Sequence, residues 1–187
     1  MPLKITKTAL PGVVIIKPDV LRDNRGFFME VYHQKKYADT GLNRTFVQDN
    51  YSHSSKGILR GLHFQLKYPQ GKLVYVVKGE IFDVAVDIRK GSPTFGRWIG
   101  EVLSEENNYQ IFIPEGFAHG FCVISETADI IYKCTDFYHP DDDRGVLWSD
   151  EQIGITWPFR NPTVSDKDSR HPMLHTMPDD LLPACKN

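Results

Sequence analysis

Leu73-Val74-Tyr75-Val76-Val77-Lys78-Gly79-Glu80-Ile81-Phe82-Asp83-Val84-Ala85-Val86-Asp87-Ile88 is the most strand-like part of the chain. Gly79 offers the backbone freedom of a turn, so the stretch predicts a β-hairpin centred on it. In its second arm Asp83, Ala85 and Asp87 alternate with Phe82, Val84, Val86 and Ile88. One face of that strand is therefore polar and the other wholly apolar. If the polar face looks into a barrel, it lines a pocket.

Outward from this stretch the chain keeps reading as short strands broken by Gly, Pro, Asn and Asp. They are Val13 to Lys17, Gly26 to Tyr32, Thr45 to Ser52, Leu59 to Gln65, Lys72 to Val77, Ile81 to Ile88, Trp98 to Leu103, Gln110 to Ile113, Gly120 to Ile124 and Asp129 to Thr135. Helical patterning is confined to Gln34 to Asp39, stopped by Gly41, and a turn at Asp179 to Leu182. Alternating strand and helix units are thus excluded, and a mainly β sandwich or small barrel with short peripheral helices is left. The sequence has no internal repeat. At 187 residues it predicts one domain, residues 1–187, with a core that needs no staple and a final stretch of roughly 20–30 residues that is mostly loop.

Twenty-two basic residues against 24 acidic ones leave none of the cationic excess that non-specific binding to nucleic acid or to an anionic membrane requires. The longest aliphatic run, Val13 to Ile16, falls far short of the roughly 20 residues of a membrane helix. The Met1-Pro2-Leu3-Lys4 start carries no apolar signal region. Cys122, Cys134 and Cys185 are odd in number and form no CxxC pair, which predicts reduced thiols, the first two in the core. The expectation is a cytoplasmic protein with neither a nucleic-acid nor a membrane partner.

Two segments resemble the paired motifs of cupin barrels. They are Gly57 to Gln65, containing Arg60-Gly61-Leu62-His63-Phe64-Gln65, and Ile113-Pro114-Glu115-Gly116-Phe117-Ala118-His119-Gly120-Phe121. Metal-binding cupins place a second His where Gln65 stands, and here a cation, Lys72, lies downstream. Only His63 and His119 remain as ligands, too few for zinc or iron, so no metal and no cofactor are expected. A His, an Arg and a Lys near the mouth of a jelly roll suit acid/base work on an anionic substrate.

Taken together, Arg25-Gly26-Phe27-Phe28, Phe46-Val47-Gln48-Asp49-Asn50, the two motifs, Gln70-Gly71-Lys72-Leu73-Val74, Asp83 to Arg89, Ser92-Pro93-Thr94-Phe95-Gly96, Tyr132-Lys133, Leu147-Trp148 and Ser165-Asp166-Lys167-Asp168 closely resemble the dTDP-4-dehydrorhamnose 3,5-epimerase family. The resemblance runs in unbroken order through nearly the whole chain. It implies a cupin-like jelly roll acting on a dTDP-4-keto-6-deoxy sugar. Hydrogens on C3 and C5 of such a sugar flank the C4 ketone and leave as protons if the enolate is stabilised. Inversion then needs a base on one face of the ring and an acid on the other.

By resemblance His63 is the base, Asp168 the carboxylate that orients it and Tyr132 the acid. Lys72 assists the phenol and stabilises charge on the C4 oxygen. Arg60 meets the need for a cation against the diphosphate. The resemblance adds Arg25, Glu30, Gln48, Asn50, His119, Asp143 and Lys167 as nucleotide contacts and Tyr138 as a stacking partner for thymine. It also implies a homodimer in which the segment around Arg25 enters the neighbouring subunit's site. Asp143 departs from the family pattern, which often has Glu there.

Singly, each residue has an ordinary reading: His63 as a core histidine, the tyrosines as barrel packing, Lys72, Arg60 and Lys167 as solvated cations. It is the ordered set that outweighs these readings. Asp83 stays outside the catalytic set. His33, His53, His139, His171 and His175 fit no pattern, and Asp141-Asp142-Asp143 reads as an exposed turn rather than a calcium loop. Three competing functions are a single-carbon epimerase or keto isomerase on the same barrel, a metal-dependent cupin enzyme and a non-catalytic sugar-nucleotide binder.

Overall fold

In the computed structural model, which describes residues 3–185, the strands are β1 (Lys4–Lys7), β2 (Val14–Lys17), β3 (Val20–Asp23), β4 (Gly26–Met29), β5 (Gln48–Ser55), β6 (Leu59–Gln65), β7 (Lys72–Lys78), β8 (Glu80–Asp87), β9 (Trp98–Ser104), β10 (Gln110–Ile113), β11 (Phe117–Val123), β12 (Thr127–Cys134) and β13 (Asp143–Gly145). The start at Met1 and Pro2 lies outside the described residues. A six-stranded sheet, in the order β1-β2-β10-β7-β12-β5, faces a five-stranded one, β13-β6-β11-β8-β9. From β5 to β8 and again from β10 to β12 the chain changes sheet at every step, the winding of a jelly roll. Strands β3 and β4 form a separate two-stranded hairpin.

Gly79 turns the chain out of one sheet and into the other, which corrects the expected hairpin. Strand β7 pairs with β10 and β12, while β8 pairs with β9 and β11. Gly79 has φ +80°, and a Cβ there would lie 2.1 Å from the Thr127 carbonyl oxygen, so the corner admits only glycine. Both edges of β8 are taken, by β9 and β11, so β7 finds its partners, β10 and β12, in the facing sheet.

Ile81 and Ala85 of β8 point between the sheets, joining Leu103, Phe117, Phe121 and Val123 against Ile15, Val74, Val76, Ile111 and Ile130 of the facing sheet. Val84, Val86 and Ile88 point outward and are covered by Val146, Ile153, Leu174 and Leu182. The C-terminal segment, irregular as expected apart from short 3-10 turns, is therefore a packed lid over the five-stranded sheet. On the other side the helix α1 (Gln34–Asp39) lays Tyr37 and the following Leu42 over Ile16, Leu73 and Phe112. Gly41, at φ +92°, ends it as expected.

Cys122 and Cys134 are buried free thiols, and Cys185 is a half-buried one. No helix among the described residues is long and apolar enough to cross a membrane. The Asp141-Asp142-Asp143 stretch is not the exposed turn expected. Asp142 is buried and accepts the Lys67 and Tyr68 backbone N–H groups at 2.7 and 3.0 Å, and Asp143 opens β13. Two otherwise unpaired loop donors explain the burial of that carboxylate.

Candidate active site

The inward faces of the two sheets part at one end to leave a cleft with two lobes, about 540 and 340 Å³. His63, Lys72 and Tyr132 line both lobes and so stand where they join. The larger lobe adds Arg60, His119, Lys167 and Asp168, and the smaller adds Gln48, Asn50, Tyr138 and Asp143. Every residue expected in the site lines this cleft except Arg25 and Glu30. Arg25 is exposed at the tip of the β3–β4 hairpin, paired with Asp23 at 2.6 Å, and Glu30 pairs with Lys36 on another surface.

Strand β6 presents Arg60 and His63 to the same cavity although they are three residues apart, which a regular strand forbids. The register against β11 explains it: His63 faces His119, but Arg60 faces Phe121, so β6 bulges between them. Gly61, at φ +135°, makes the bulge, and a Cβ on it would lie 2.5 Å from the Gly120 Cα. Its N–H is turned toward Asp168 Oδ2, at 3.1 Å.

Asp168 sits on a 3-10 turn of the C-terminal segment, buried, with Oδ1 2.9 Å from His63 Nε2. Burial alone would raise its pKa. The His63 hydrogen bond and charge, the Gly61 N–H and Ser165 outweigh burial and bring it down to about 2. The ionised carboxylate makes Nε2 the donor, leaving Nδ1 of the half-exposed ring as the basic atom. A second imidazole, His171, stands edge-on to His63 with ring centroids 5.8 Å apart.

The opposite wall comes from the six-stranded sheet. Tyr132 on β12 and Lys72 on β7 share the inward face of that sheet with Val74, Val76 and Ile130. Burial raises the Tyr132 pKa, with Arg60 opposing, so the phenol keeps its proton near neutrality. Burial lowers the Lys72 pKa, against the pull of Cys134, Asp143 and Asp83. An imidazole and a phenol therefore face each other from different sheets, with an ammonium beside the phenol.

Around them the polar groups are interlocked. Gln48 donates to Asn50 Oδ1 at 3.0 Å and accepts the Tyr138 N–H at 2.8 Å. The Tyr138 hydroxyl donates to Asp143 Oδ2 at 2.8 Å, which together with burial pushes its pKa up to about 12. Lys167 pairs with the same Asp143, whose pKa is lowered against burial by these two partners. Arg60 Nε donates to Ser54 at 3.0 Å, which leaves the end of the guanidinium free for a ligand.

Sequence reasoning left out Asp83, whose carboxylate is fully buried and bonded through Oδ2 to His119 Nε2 at 2.9 Å. Its place in the alternation of β8 was the available signal. It also left out His171 and the Thr163-Val164-Ser165 wall of the larger lobe, for which the sequence carries no pattern. Gln65, at the cupin metal position, is spent on backbone: it donates to the Tyr68 and Phe137 carbonyls at 2.6 and 3.1 Å and accepts the His139 N–H at 2.8 Å. With Lys72 nearby, this donor set does not fit a cupin metal.

Residues 7–176 match the family model described as dTDP-4-dehydrorhamnose 3,5-epimerase. The protein of that name from Shigella flexneri is 57% identical over 168 residues, covering 89% of this chain and 93% of the relative. The Neisseria gonorrhoeae protein is 55% identical over 167 residues and covers 89% of this chain, which spans only 51% of that longer relative. Among solved structures, the dTDP-6-deoxy-D-glucose-3,5-epimerase of Legionella pneumophila, in complex with dTDP-4-keto-L-rhamnose, superposes with a TM-score of 0.96 at 48% identity, over 99% of this chain and 100% of that one.

Proposed function

The chain belongs to the dTDP-4-dehydrorhamnose 3,5-epimerase family, and from that premise we propose how its own residues carry the reaction. It inverts C3 and C5 of dTDP-4-dehydro-6-deoxy-D-glucose to give dTDP-4-dehydro-L-rhamnose. The single observation that carries the mechanism is the facing of His63 and Tyr132 across the cleft, one from each sheet. His63 Nδ1 takes the proton beside the ketone, and Asp168 holds the resulting imidazolium. Negative charge moves to the C4 oxygen, where Lys72 stabilises it. Tyr132 then delivers a proton to the opposite face, and exchange with solvent resets both groups. The same pair serves C5 and C3, since both carbons flank one ketone.

The nucleotide occupies the cation-rich ends of the cleft. Arg60 and Lys167 meet the diphosphate, with His119 beside them, while Gln48, Asn50, Asp143 and the exposed ring of Tyr138 receive the thymidine. No metal or other cofactor takes part in these steps, each of which is a proton transfer that the named side chains can perform.

Arg25 and Glu30 join the site through a second copy of the chain. The β3–β4 hairpin carries Leu21, Phe27 and Phe28, all more than half exposed, and Arg25 at its tip. An apolar two-stranded arm of this kind needs a surface to cover it, and a homodimer supplies one while placing Arg25 at the neighbouring cleft. Free thiols and the near-neutral charge agree with a cytoplasmic protein that needs neither nucleic acid nor membrane.

Turnover in deuterium oxide tests the reaction. Deuterium should enter both C3 and C5, and incorporation at one carbon alone would leave a single-carbon epimerase instead.

A further inference from the structure

We propose that His63, Asp168 and His171 together bind a zinc-like divalent ion, and that filling this site silences the enzyme. Asp168 Oδ1 stands between the two rings, 2.9 Å from His63 Nε2 and 3.8 Å from His171 Nε2, and the three donor atoms all lie within 4.8 Å of one another. Zinc bonds of about 2.0–2.2 Å put neighbouring donors of a tetrahedral ion roughly 3.4 Å apart, between the two spacings found here. A small movement of each ring would seat the ion, with water as a fourth ligand. Among the described residues no other three His, Cys, Asp or Glu side chains converge in this way.

His171 supplies the independent observation. Its side chain is 9% exposed, and its Nε2 is buried with no hydrogen-bond partner among the described residues, an arrangement that native interiors avoid unless the atom has a use. The ring is held in place because residue 145 is glycine: a Cβ there would lie 2.3 Å from it. Two imidazoles and a carboxylate are donors for zinc or its neighbours in the first transition row, while calcium and magnesium want oxygen alone.

Such an ion would not be a cofactor. His63 carries its proton on Nε2, toward Asp168, and keeps Nδ1 bare for the substrate. An ion on Nε2 forces that proton onto Nδ1, with no net proton released, and the basic lone pair is lost. The site therefore binds either the ion or a substrate proton. This inhibitory half rests on the epimerase reading, whereas ion binding itself does not.

Cobalt(II) is the probe, since its four-coordinate complexes absorb strongly in the visible. Chelator-treated protein titrated with cobalt(II) should show a saturable visible band at one ion per chain, discharged by zinc(II). His171→Ala and His171→Asn should each weaken binding at least about tenfold. Zinc should inhibit turnover over the range in which it displaces cobalt, chelator should restore it, and inhibition of each variant, relative to its own metal-free rate, should shift by the same factor as binding. Absence of a saturable band below millimolar cobalt, or unchanged binding in both variants, would overturn the site. Full turnover with the site occupied would overturn the inhibition. Protein inactive even without metal would instead count against the epimerase reading, and the cobalt titration would still report on the site.

Discussion

Asp168 Oδ1 lies 2.9 Å from His63 Nε2, a contact between residues 105 apart in the chain. It ties a loop of the C-terminal lid to the inner strand β6, so the segment that seals the outer face of the barrel also orients the imidazole that the proposed mechanism uses as its base. On the proposed mechanism, fold stability and catalytic competence therefore share one carboxylate.

That sharing gives a signed pH dependence. The Asp168 pKa is lowered to about 2 from an ordinary 3.8, so its contribution to stability is fully present above about pH 4 and is lost as pH falls through 2. The difference amounts to about 2 kcal/mol. Denaturant unfolding at pH 5 and pH 2.5 should show Asp168→Asn losing less stability on acidification than the wild type. At neutral pH the same variant should lose about 10²- to 10⁴-fold in kcat by releasing the tautomer. Equal acid sensitivity in the two proteins would remove Asp168 from this role.

His63→Ala and Tyr132→Phe should fail in different ways. Without the imidazole no proton leaves, so exchange with solvent deuterium and product formation should both vanish. Without the phenol the base still works, so exchange should persist while inversion is lost. Proton NMR of the sugar nucleotide in deuterium oxide separates the two. Normal turnover in either variant refutes its assignment.

Lys72 should set the alkaline limit of the reaction. Burial lowers its pKa and raises that of Tyr132, so the ammonium loses its proton sooner than an exposed lysine would and the phenol later than an exposed tyrosine. The kcat profile should fall below the ordinary lysine range, and Lys72→Met should abolish that limb and lower kcat by about 10²–10³-fold, as for loss of one donor to a developing oxyanion. A profile unchanged in shape after the substitution would exclude Lys72.

Much of this was legible in the sequence, for identifiable reasons. Alternation reports which residues share a face, so the two-sided character of Phe82 to Ile88 was readable. It does not report which strand lies alongside, and the expected Gly79 hairpin is a crossing between sheets because the distant strands β9 and β11 take both edges of β8. Strands β1, β3 and β13 escape that reading because Lys4–Lys7, Val20–Asp23 and Asp143–Gly145 are only three or four residues long and too short to show an alternation. Local motifs carried Arg60, His63 and His119, whereas Asp168 came only through family resemblance, because a carboxylate on an irregular loop has no periodicity. His171 had no signal at all, its meaning arising from Gly145 and Asp168 in space.

The bulge that aims β6 is open to a single-residue test. Gly61→Ala would place a methyl 2.5 Å from the Gly120 backbone at a φ of +135°, and the strand must then give way. We expect a loss of about 2–4 kcal/mol in unfolding free energy. Relaxation of the bulge would turn Arg60 or His63 out of the cleft, so folded protein recovered at low temperature should also be inactive. A stable, active Gly61→Ala protein would show that the phase shift in β6 has another cause.

Arg25 provides the test of a shared site. Arg25→Ala and His63→Ala should each be nearly inactive as pure proteins, the first through substrate affinity and the second through chemistry. If Arg25 acts in the neighbouring cleft, a heterodimer of the two variants contains one cleft with both defects and one with neither. Equal mixtures, unfolded and refolded together, should then recover about a quarter of the wild-type sites, since half the dimers are mixed and half their clefts are intact. If instead each chain completes its own cleft, every site in the mixture carries one defect and no activity returns. Recovery in the mixture together with wild-type KM in the restored fraction is the expected result, and its absence would confine Arg25 to the surface of its own subunit.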